Sequence, residues 1–349
     1  MRIVFTLPII GMAGGFKVIF EYSNRLREKG HEVSVVYPLI PAYKKPLVKI
    51  FGAARNIYRG NTVDWFNLKA DLIRVPTLSS KHVPDADIVV ASWWETAYYV
   101  SKYGPNKGEK FYLSQHYETW GGPKEKVDET YRLGLHNIVI SSWLKNILKN
   151  LGAPVEALIP NGVNSEEFYP EEVPREDCDI RILMPYRKEK WKGIEDGVKA
   201  FEIVKKVHHN TKLVMFGPRP KMGELPSGVE FHVRPTNDEL RRIYNSCDIF
   251  CFPSRVEGFG LPPMEAMACK IPVVTTNTGA VLDYALPGKT ALISQPMDVK
   301  SMANNILELL DNESRRKTIA EMGYQHIQQF TWDKATNKLE QIFKKYSNN

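Results

Sequence analysis

Along the chain, short apolar runs alternate with stretches whose apolar residues recur every three or four positions, the rhythm of parallel strands joined by crossover helices. In the first half this pattern predicts strands near Arg2–Thr6, Glu32–Tyr37, Ile88–Ala91, Lys110–Ser114 and Asn137–Ile140. Between the first two, Val18, Ile19, Tyr22 and Leu26 share one face of a helix over Phe16–Glu28, and Lys29-Gly30 supplies its stop. The second half repeats the rhythm, with strands expected at Ile180–Pro185, Lys212–Phe216, Val229–His232, Ile249–Phe252 and Pro272–Thr275. Helices are expected there at Ile194–Val207, Asp238–Asn245 and Pro262–Ala268. Such alternation predicts an α/β chain of two doubly wound, Rossmann-like domains with ligands at the carboxyl ends of the strands.

Acidic residues and two prolines replace the period in NSEEFYPEEVPREDCD, Asn164–Asp179. The expected organisation is therefore an N-terminal domain over 1–165, a linker at 166–179 and a C-terminal domain over 180–330. Residues 331–349 form a last helical stretch with Ala335, Leu339, Ile342 and Phe343 on one face. That face needs a partner; periodicity does not name it, and the N-terminal domain is one expectation.

A length of 349 residues agrees with two domains at roughly 150 residues each. With 43% apolar and 25% charged residues the chain excludes disordered, collagen-like and disulfide-stapled classes. No run approaches the roughly 18 consecutive apolar residues of a spanning helix. The opening MRIVFTLPIIGMAGG imitates a signal peptide, but Pro8 interrupts it, so it reads as a first strand and loop. Cys178, Cys247, Cys251 and Cys269 fit neither zinc nor redox spacing, which predicts free thiols, a reducing compartment and a cytoplasmic location.

Net charge is +7, and Lys44, Lys45, Lys49, Arg55 and Arg59 cluster without an intervening acid. In KKPLVKIFGAARNIYRG, residues 44–60, the apolar residues have near-helical spacing. A basic amphipathic helix of this kind suits an anionic membrane surface, which would make the protein peripheral on the inner face; it equally suits a lid with its charged stems in water. Nucleic acid is the weaker partner, because no RNP, helix-turn-helix or zinc pattern accompanies the charge.

The chemistry concentrates in IFCFPSRVEGFGLPPMEAMACKIPVV, Ile249–Val274. A strand ends at Phe252, a loop carries Glu257, Gly258, Phe259, Gly260 and Leu261, and a helix opens at Pro262 or Pro263, where proline costs nothing because the first N–H groups lack intrahelical partners. Those free N–H groups and the helix dipole make an anion site that glycines let a phosphate approach. Glu257 precedes the helix and Glu265 is placed in its first turn. Two carboxylates beside an amide-lined pocket suit sugar hydroxyls; the plainer reading makes Glu265 a dipole complement and Glu257 a solvated loop residue.

EGFGLPPME, with SCDIFCFPSR before it and EAMACKIPVVTTNTGA after it, resembles the E-x7-E signature of retaining nucleotide-sugar glycosyltransferases of family 4 with the GT-B fold. LMPYRKEKWKG resembles that family's Arg and Lys element, which makes Arg187 and Lys192 the diphosphate-binding pair. VISSWLKNILKNLG and LIPNGVNSEEFYP resemble the segments closing the N-terminal domain. The resemblance is strong over 137–299 and weaker before it, mainly through GMAGGFKVIFEYSNRLREKGHEV and His116. It implies two Rossmann-like domains facing a central cleft, the second for a UDP-, GDP- or dTDP-linked sugar and the first for a carbohydrate or lipid-linked acceptor.

By the same resemblance Glu257 orients the sugar, Glu265 accepts from ribose hydroxyls, Gly258–Leu261 and Gly15 lie near the donor, and His116 contacts a sugar. No cofactor and no metal are implied, and no Asp-x-Asp motif follows the carboxyl end of a strand. On chemistry alone Arg187 and Lys192 are two charges in a turn, His116 is one histidine at a strand end, and Gly11 marks a tight turn. GMAGGFKV fails the dinucleotide fingerprint, which ranks an NAD-dependent oxidoreductase low. Trp93, Trp94, Tyr117 and Trp120 form an aromatic group at adjacent strand ends, suited either to stacking on sugars or to filling a core. Thr278-Gly279-Ala280 resembles the family's turn near the donor phosphates but departs from it at Ala280, where the family has glycine, and Asp283 stands for the acidic residue that follows. The remaining alternatives are a sugar-nucleotide epimerase or hydrolase of the same fold, or a non-catalytic nucleotide-binding scaffold.

Overall fold

The computed structural model describes residues 1–40, 62–175, 178–220, 225–226 and 228–347, so the basic segment 44–60 lies outside the described residues. The chain divides into two units, Met1–Asn161 with Trp332–Asn349, and Gly162–Thr331. In the first unit the strands are β1 (Arg2–Thr6), β2 (Glu32–Pro38), β3 (Asp71–Val75), β4 (Ile88–Ala91), β5 (Glu109–Ser114), β6 (His136–Val139) and β7 (Ala157–Leu158). They pair in parallel in the order β3-β2-β1-β4-β5-β6-β7, with Ile3 level with Val33 on one side and Ile88 on the other. Its helices include α1 (Gly14–Glu28), α2 (Trp94–Val100), α3 (Lys124–Thr130) and α4 (Ser142–Asn150).

The second unit contains β8 (Ile180–Pro185), β9 (Thr211–Gly217), β10 (Glu230–Val233), β11 (Ile249–Phe252), β12 (Val273–Thr276) and β13 (Leu292–Ser294), ordered β10-β9-β8-β11-β12-β13 and again all parallel. Around them lie α5 (Ile194–Val207), α6 (Asn237–Asn245), α7 (Leu261–Ala268), α8 (Val281–Tyr284), α9 (Val299–Asp311) and α10 (Glu313–Ile327). Every residue of β4, β11 and β12 is buried, because helices cover both faces of a parallel sheet; this is why IVVA and IFCF read as unbroken apolar runs. Both units are thus doubly wound and Rossmann-like.

The last helix, α11 (Trp332–Ser347), belongs to the first unit. Its Ala335, Leu339 and Phe343 are buried, Trp332 meets Tyr22 edge-on at 5.5 Å, and Phe343 meets Phe111 at 4.9 Å. Residues Glu171 and Arg175 lie inside the second unit, held by Arg241 (2.8 Å) and Asp248 (2.8 Å). Element ends differ from the periodic expectation by a residue or two. α1 begins at Gly14, two residues early, since apolar spacing cannot register the glycines of its first turn. The half-exposed edge strand β3, the two-residue β7 and the short β13 carry too little pattern to announce themselves. α9 has a readable period in Met302, Ala303, Ile306 and Leu309, all buried. Among the described residues no helix is long and apolar enough to cross a membrane. All four cysteines are unpaired, Cys178 exposed and the others buried.

Candidate functional site

In an open parallel sheet, ligands bind beyond the carboxyl ends of the two strands where the order reverses. In the second unit those strands are β8 and β11, which pair directly. β8 runs out into Arg187 and the single turn Lys190–Lys192, and β11 into the loop 253–260. Lys192 Nζ lies 2.7 Å from Glu257 Oε1, and the Ser254 hydroxyl donates to the same oxygen at 2.7 Å. The Trp191 carbonyl accepts from the Arg255 amide at 2.7 Å, and the Arg255 guanidinium forks onto Asp196 of α5 at 2.6 and 2.8 Å. Two-point pairing of this kind fixes orientation as well as position, so the loop is tied to the basic turn through both backbone and side chains.

A second tie comes from the turn after β12. Gly279 has φ +56°, and a Cβ there would stand 2.3 Å from the Glu257 carbonyl oxygen. Only glycine lets that turn rest on the Glu257 backbone. α7 opens at Leu261, one residue before the prolines, so Glu265 falls beyond the first turn. This corrects its expected place and removes the simple role of complementing the helix dipole. Glu265 is buried instead and accepts a hydrogen bond from Tyr244 at 3.2 Å. Burial, reinforced by the Glu265 charge, pushes the Tyr244 phenol well above its ordinary range.

Arg187 collects these charges. Burial pushes its guanidinium below its ordinary value, and Glu189, Glu257, Tyr244 and Glu265 oppose that shift. Arg187, Lys192, Glu257 and Glu265 are therefore one electrostatic group. Gly258, Phe259 and Gly260 are buried beside it and Leu261 is half-buried. Ser254, Tyr244 and Tyr284 belong to the same neighbourhood, Tyr284 through its ring contact with Phe259 at 5.5 Å. Sequence reasoning missed them: Ser254 was visible in FPSR just ahead of Glu257, whereas nothing local marks Tyr244 as a partner of Glu265.

Gly15 and His116 lie in the first unit. Gly15 is exposed on the first turn of α1, and its carbonyl accepts from the Gln115 side chain at 3.1 Å. His116 is half-buried, with Nδ1 3.1 Å from the Tyr117 carbonyl oxygen and its ring between Trp120 and Trp143. Sequence reasoning also passed over Glu118, which is buried and accepts from the Trp94 amide at 2.7 Å and the Tyr112 hydroxyl at 3.3 Å. Burial pushes the Glu118 carboxyl well above the usual carboxylate range. Among the described residues no cluster of three or more His, Cys, Asp or Glu is placed to hold a metal ion.

Residues 165–326, which lie in the second unit, match the family model described as Glycosyl transferases group 1. The chain is 29% identical over 216 residues to an uncharacterized glycosyltransferase of Methanocaldococcus jannaschii, covering 60% of this chain and 59% of that one. It is 29% identical over 166 residues to the capsular polysaccharide biosynthesis glycosyltransferase CapM of Staphylococcus aureus, 44% of each chain. The matches thus span about half to three fifths of those relatives' lengths. Among solved structures, a sucrose-phosphate synthase from Thermosynechococcus elongatus superposes with a TM-score of 0.78 at 17% identity, covering 99% of this chain and 98% of that one. Anabaena HepE in complex with UDP-glucose gives 0.77 at 14% identity, covering 99% and 100%. The fold is that of the GT-B glycosyltransferases.

Proposed function

We propose that this chain is a retaining, metal-independent glycosyltransferase of the family 4 kind. It moves a hexose from a UDP-, GDP- or dTDP-linked sugar to a hydroxyl of a glycan or lipid-linked acceptor. The observation that carries the reading is the convergence of Arg187, Lys192 and the Glu257–Leu261 loop beyond the paired strands β8 and β11. The group 1 match over 165–326 and the fold shared with a UDP-glucose-bound protein support it.

A departing nucleoside diphosphate gains negative charge as the bond to the anomeric carbon breaks. Cations already fixed beside that position stabilise the transition state more than the ground state. Arg187 and Lys192 are so held, the half-buried first by donating to the Tyr186 carbonyl at 3.0 Å and the second by its 2.7 Å pairing with Glu257. In this reading the diphosphate takes up Lys192, the amides near Gly258–Gly260 hold phosphate oxygens, Glu265 accepts from ribose hydroxyls and Glu257 orients the sugar. Gly15 approaches the donor and His116 a sugar hydroxyl. The acceptor oxygen bonds to the anomeric carbon on the face the diphosphate leaves, and the acceptor's proton passes to a donor phosphate oxygen, so configuration is kept. The reading extends to a cytoplasmic enzyme that meets the inner face of an anionic membrane through residues 44–60.

Thermal denaturation with UDP, GDP and dTDP tests the donor half, since a ligand at 100 times its dissociation constant adds about 2.7 kcal/mol. One of the three should raise the midpoint. Failure of all three would remove the donor site, and an inverted anomer in the product, read by NMR, would remove the retaining path.

A further inference from the structure

Two buried polar groups of the second unit meet at Gly260, and neither is paired. The first is the hydroxyl of Tyr284, the residue that closes α8, the single turn following β12. Tyr284 is wholly buried, and its hydroxyl makes no hydrogen bond. Buried polar groups are nearly always satisfied in folded proteins, so this one calls for an account. Burial, with the Glu257 and Asp283 charges, pushes the phenol well above its ordinary range, so the hydroxyl keeps its proton to donate.

The second is the carbonyl of Phe259. Phe259 is buried too, and no hydrogen bond of the described backbone ends on its carbonyl. A turn or a helix would supply an N–H from three or four residues on, but those residues are Pro262 and Pro263, which have none. The two carbonyls before it, of Glu257 and Gly258, lie against Gly279, where a Cβ would stand 2.3 and 3.1 Å from them. The Phe259 carbonyl instead belongs to the peptide entering Gly260. That glycine is left-handed, with φ +92° and ψ 71°, and a Cβ on it would stand 3.0 Å from the Tyr284 hydroxyl. With no Cβ in the way, the Phe259–Gly260 peptide can turn beside the phenol.

We propose that Tyr284 is a positioning residue for the anion-binding loop: in the diphosphate-bound state its hydroxyl donates to the Phe259 carbonyl, and that bond turns the Gly260 N–H toward phosphate oxygens. This deepens the transferase reading and rests on it. The C=O and N–H of a trans peptide point opposite ways, so a carbonyl held at Tyr284 presents its N–H on the far side. A ligand shifts an equilibrium only by what it gains in one state over the other. Here the bound state gains two hydrogen bonds, one of them to a charged acceptor. The turn carrying Tyr284 is seated for the task, since the Ala285 amide donates to the Val281 carbonyl at 2.8 Å and the Tyr284 ring meets Phe259 at 5.5 Å.

Calorimetric titration of UDP, GDP and dTDP into the full chain tests the proposal in the parent, Tyr284→Phe and Tyr22→Phe. Tyr22 is the control: it is wholly buried in the first unit, its hydroxyl is likewise unpaired, and its ring packs edge-on against Trp332. Both variants delete a buried hydroxyl without a hydrogen bond, so each should keep or raise the parent's thermal midpoint. Only Tyr284→Phe should bind the diphosphate more weakly, by about tenfold. At saturating diphosphate the Gly260 amide signal in NMR should move in the parent and move less in Tyr284→Phe. Parent-like affinity in Tyr284→Phe, an equal loss in Tyr22→Phe, or a loss of affinity that follows a lowered midpoint would each overturn the inference. A parent that binds a diphosphate no better than Tyr284→Phe does loses the role of Tyr284 alone. A parent that binds none of the three loses the transferase reading, and the inference with it.

Discussion

The two units share a strand order, with the first strand of each flanked by the second and the fourth, yet they arm the reversal point differently. Beyond β8 and β11 stand Arg187, Lys192, Glu257 and Glu265; beyond β4 and its neighbours stand indoles. Buried glutamates make the contrast sharpest. Glu257 faces a lysine at 2.7 Å, while Glu118 faces an amide and a phenol and is pushed up by burial. One environment holds a charge ready for another charge; the other uses a carboxyl to pin a loop. The sheet supplies a position and the residues entering it supply the chemistry, so fold alone does not assign roles to the two halves.

Removing a cation should show the contrast most strongly. Arg187→Ala is expected to lower turnover by about a hundredfold or more, because a fixed donor at the developing charge is lost. Steady-state kinetics with the identified donor measures it, and an unchanged rate would break the assignment of leaving-group chemistry to the second unit. Glu265→Ala should weaken nucleoside diphosphate binding about tenfold along with turnover, from loss of a charged hydrogen-bond acceptor. Glu257→Ala should depress turnover chiefly. Calorimetry beside kinetics distinguishes the two, and parent-like behaviour in both would contradict the site.

Backbone substitutions sharpen the comparison at smaller scale. Gly279→Ala forces a Cβ to 2.3 Å from the Glu257 carbonyl oxygen at φ +56°, whereas Gly152 in the first unit has φ +66° and nothing within 4 Å. The first should cost about 3 kcal/mol or more and disturb turnover, and the second only the roughly 1–2 kcal/mol of left-handed strain. Urea denaturation of the two variants gives the difference; equal losses would mean that the turn at Gly279 does not support the loop.

How far the sequence announced this arrangement depends on how local each feature is. Strands buried on both faces, such as IVVA and IFCF, declare themselves because burial leaves no polar positions. The loop from Glu257 to Leu261 is legible because glycine, proline and paired acids stand close together in the chain. Edge strand β3 is half-exposed and lacks that signature. The amphipathic period of α11 gives its buried face but not its partner, since Trp332 meets Tyr22 across most of the chain's length. Glu118 is hidden for the same reason: what buries it comes from α2 and β5. The aromatic group could be named from sequence, whereas its edge-on geometry and the glycines seated against two indoles appear only once three strands are aligned.

The smallest expected effect concerns how the first unit holds that last helix, a device outside the second unit. Glu340 of α11 lies 2.6 Å from Lys344, 3.2 Å from Lys29 and 2.9 Å from the His31 ring. The Lys344 ammonium, with His31 and Lys29, holds the Glu340 carboxyl down from its ordinary 4.5 to about 2, against the opposing effect of burial. A carboxylate depressed in the folded state binds its proton less readily than in the unfolded chain, so its stabilisation is fully present above pH 4.5 and lost as pH falls toward 2. Glu340→Gln should therefore lower the thermal midpoint at neutral pH by a few degrees and flatten the acid limb between those values. Diphosphate binding, proposed for the second unit, should be the same for parent and variant at neutral pH. A variant whose acid limb matched the parent's would show that Glu340 does not couple the helix to pH, and a variant that lost diphosphate binding would show that the two units do not divide their work as proposed.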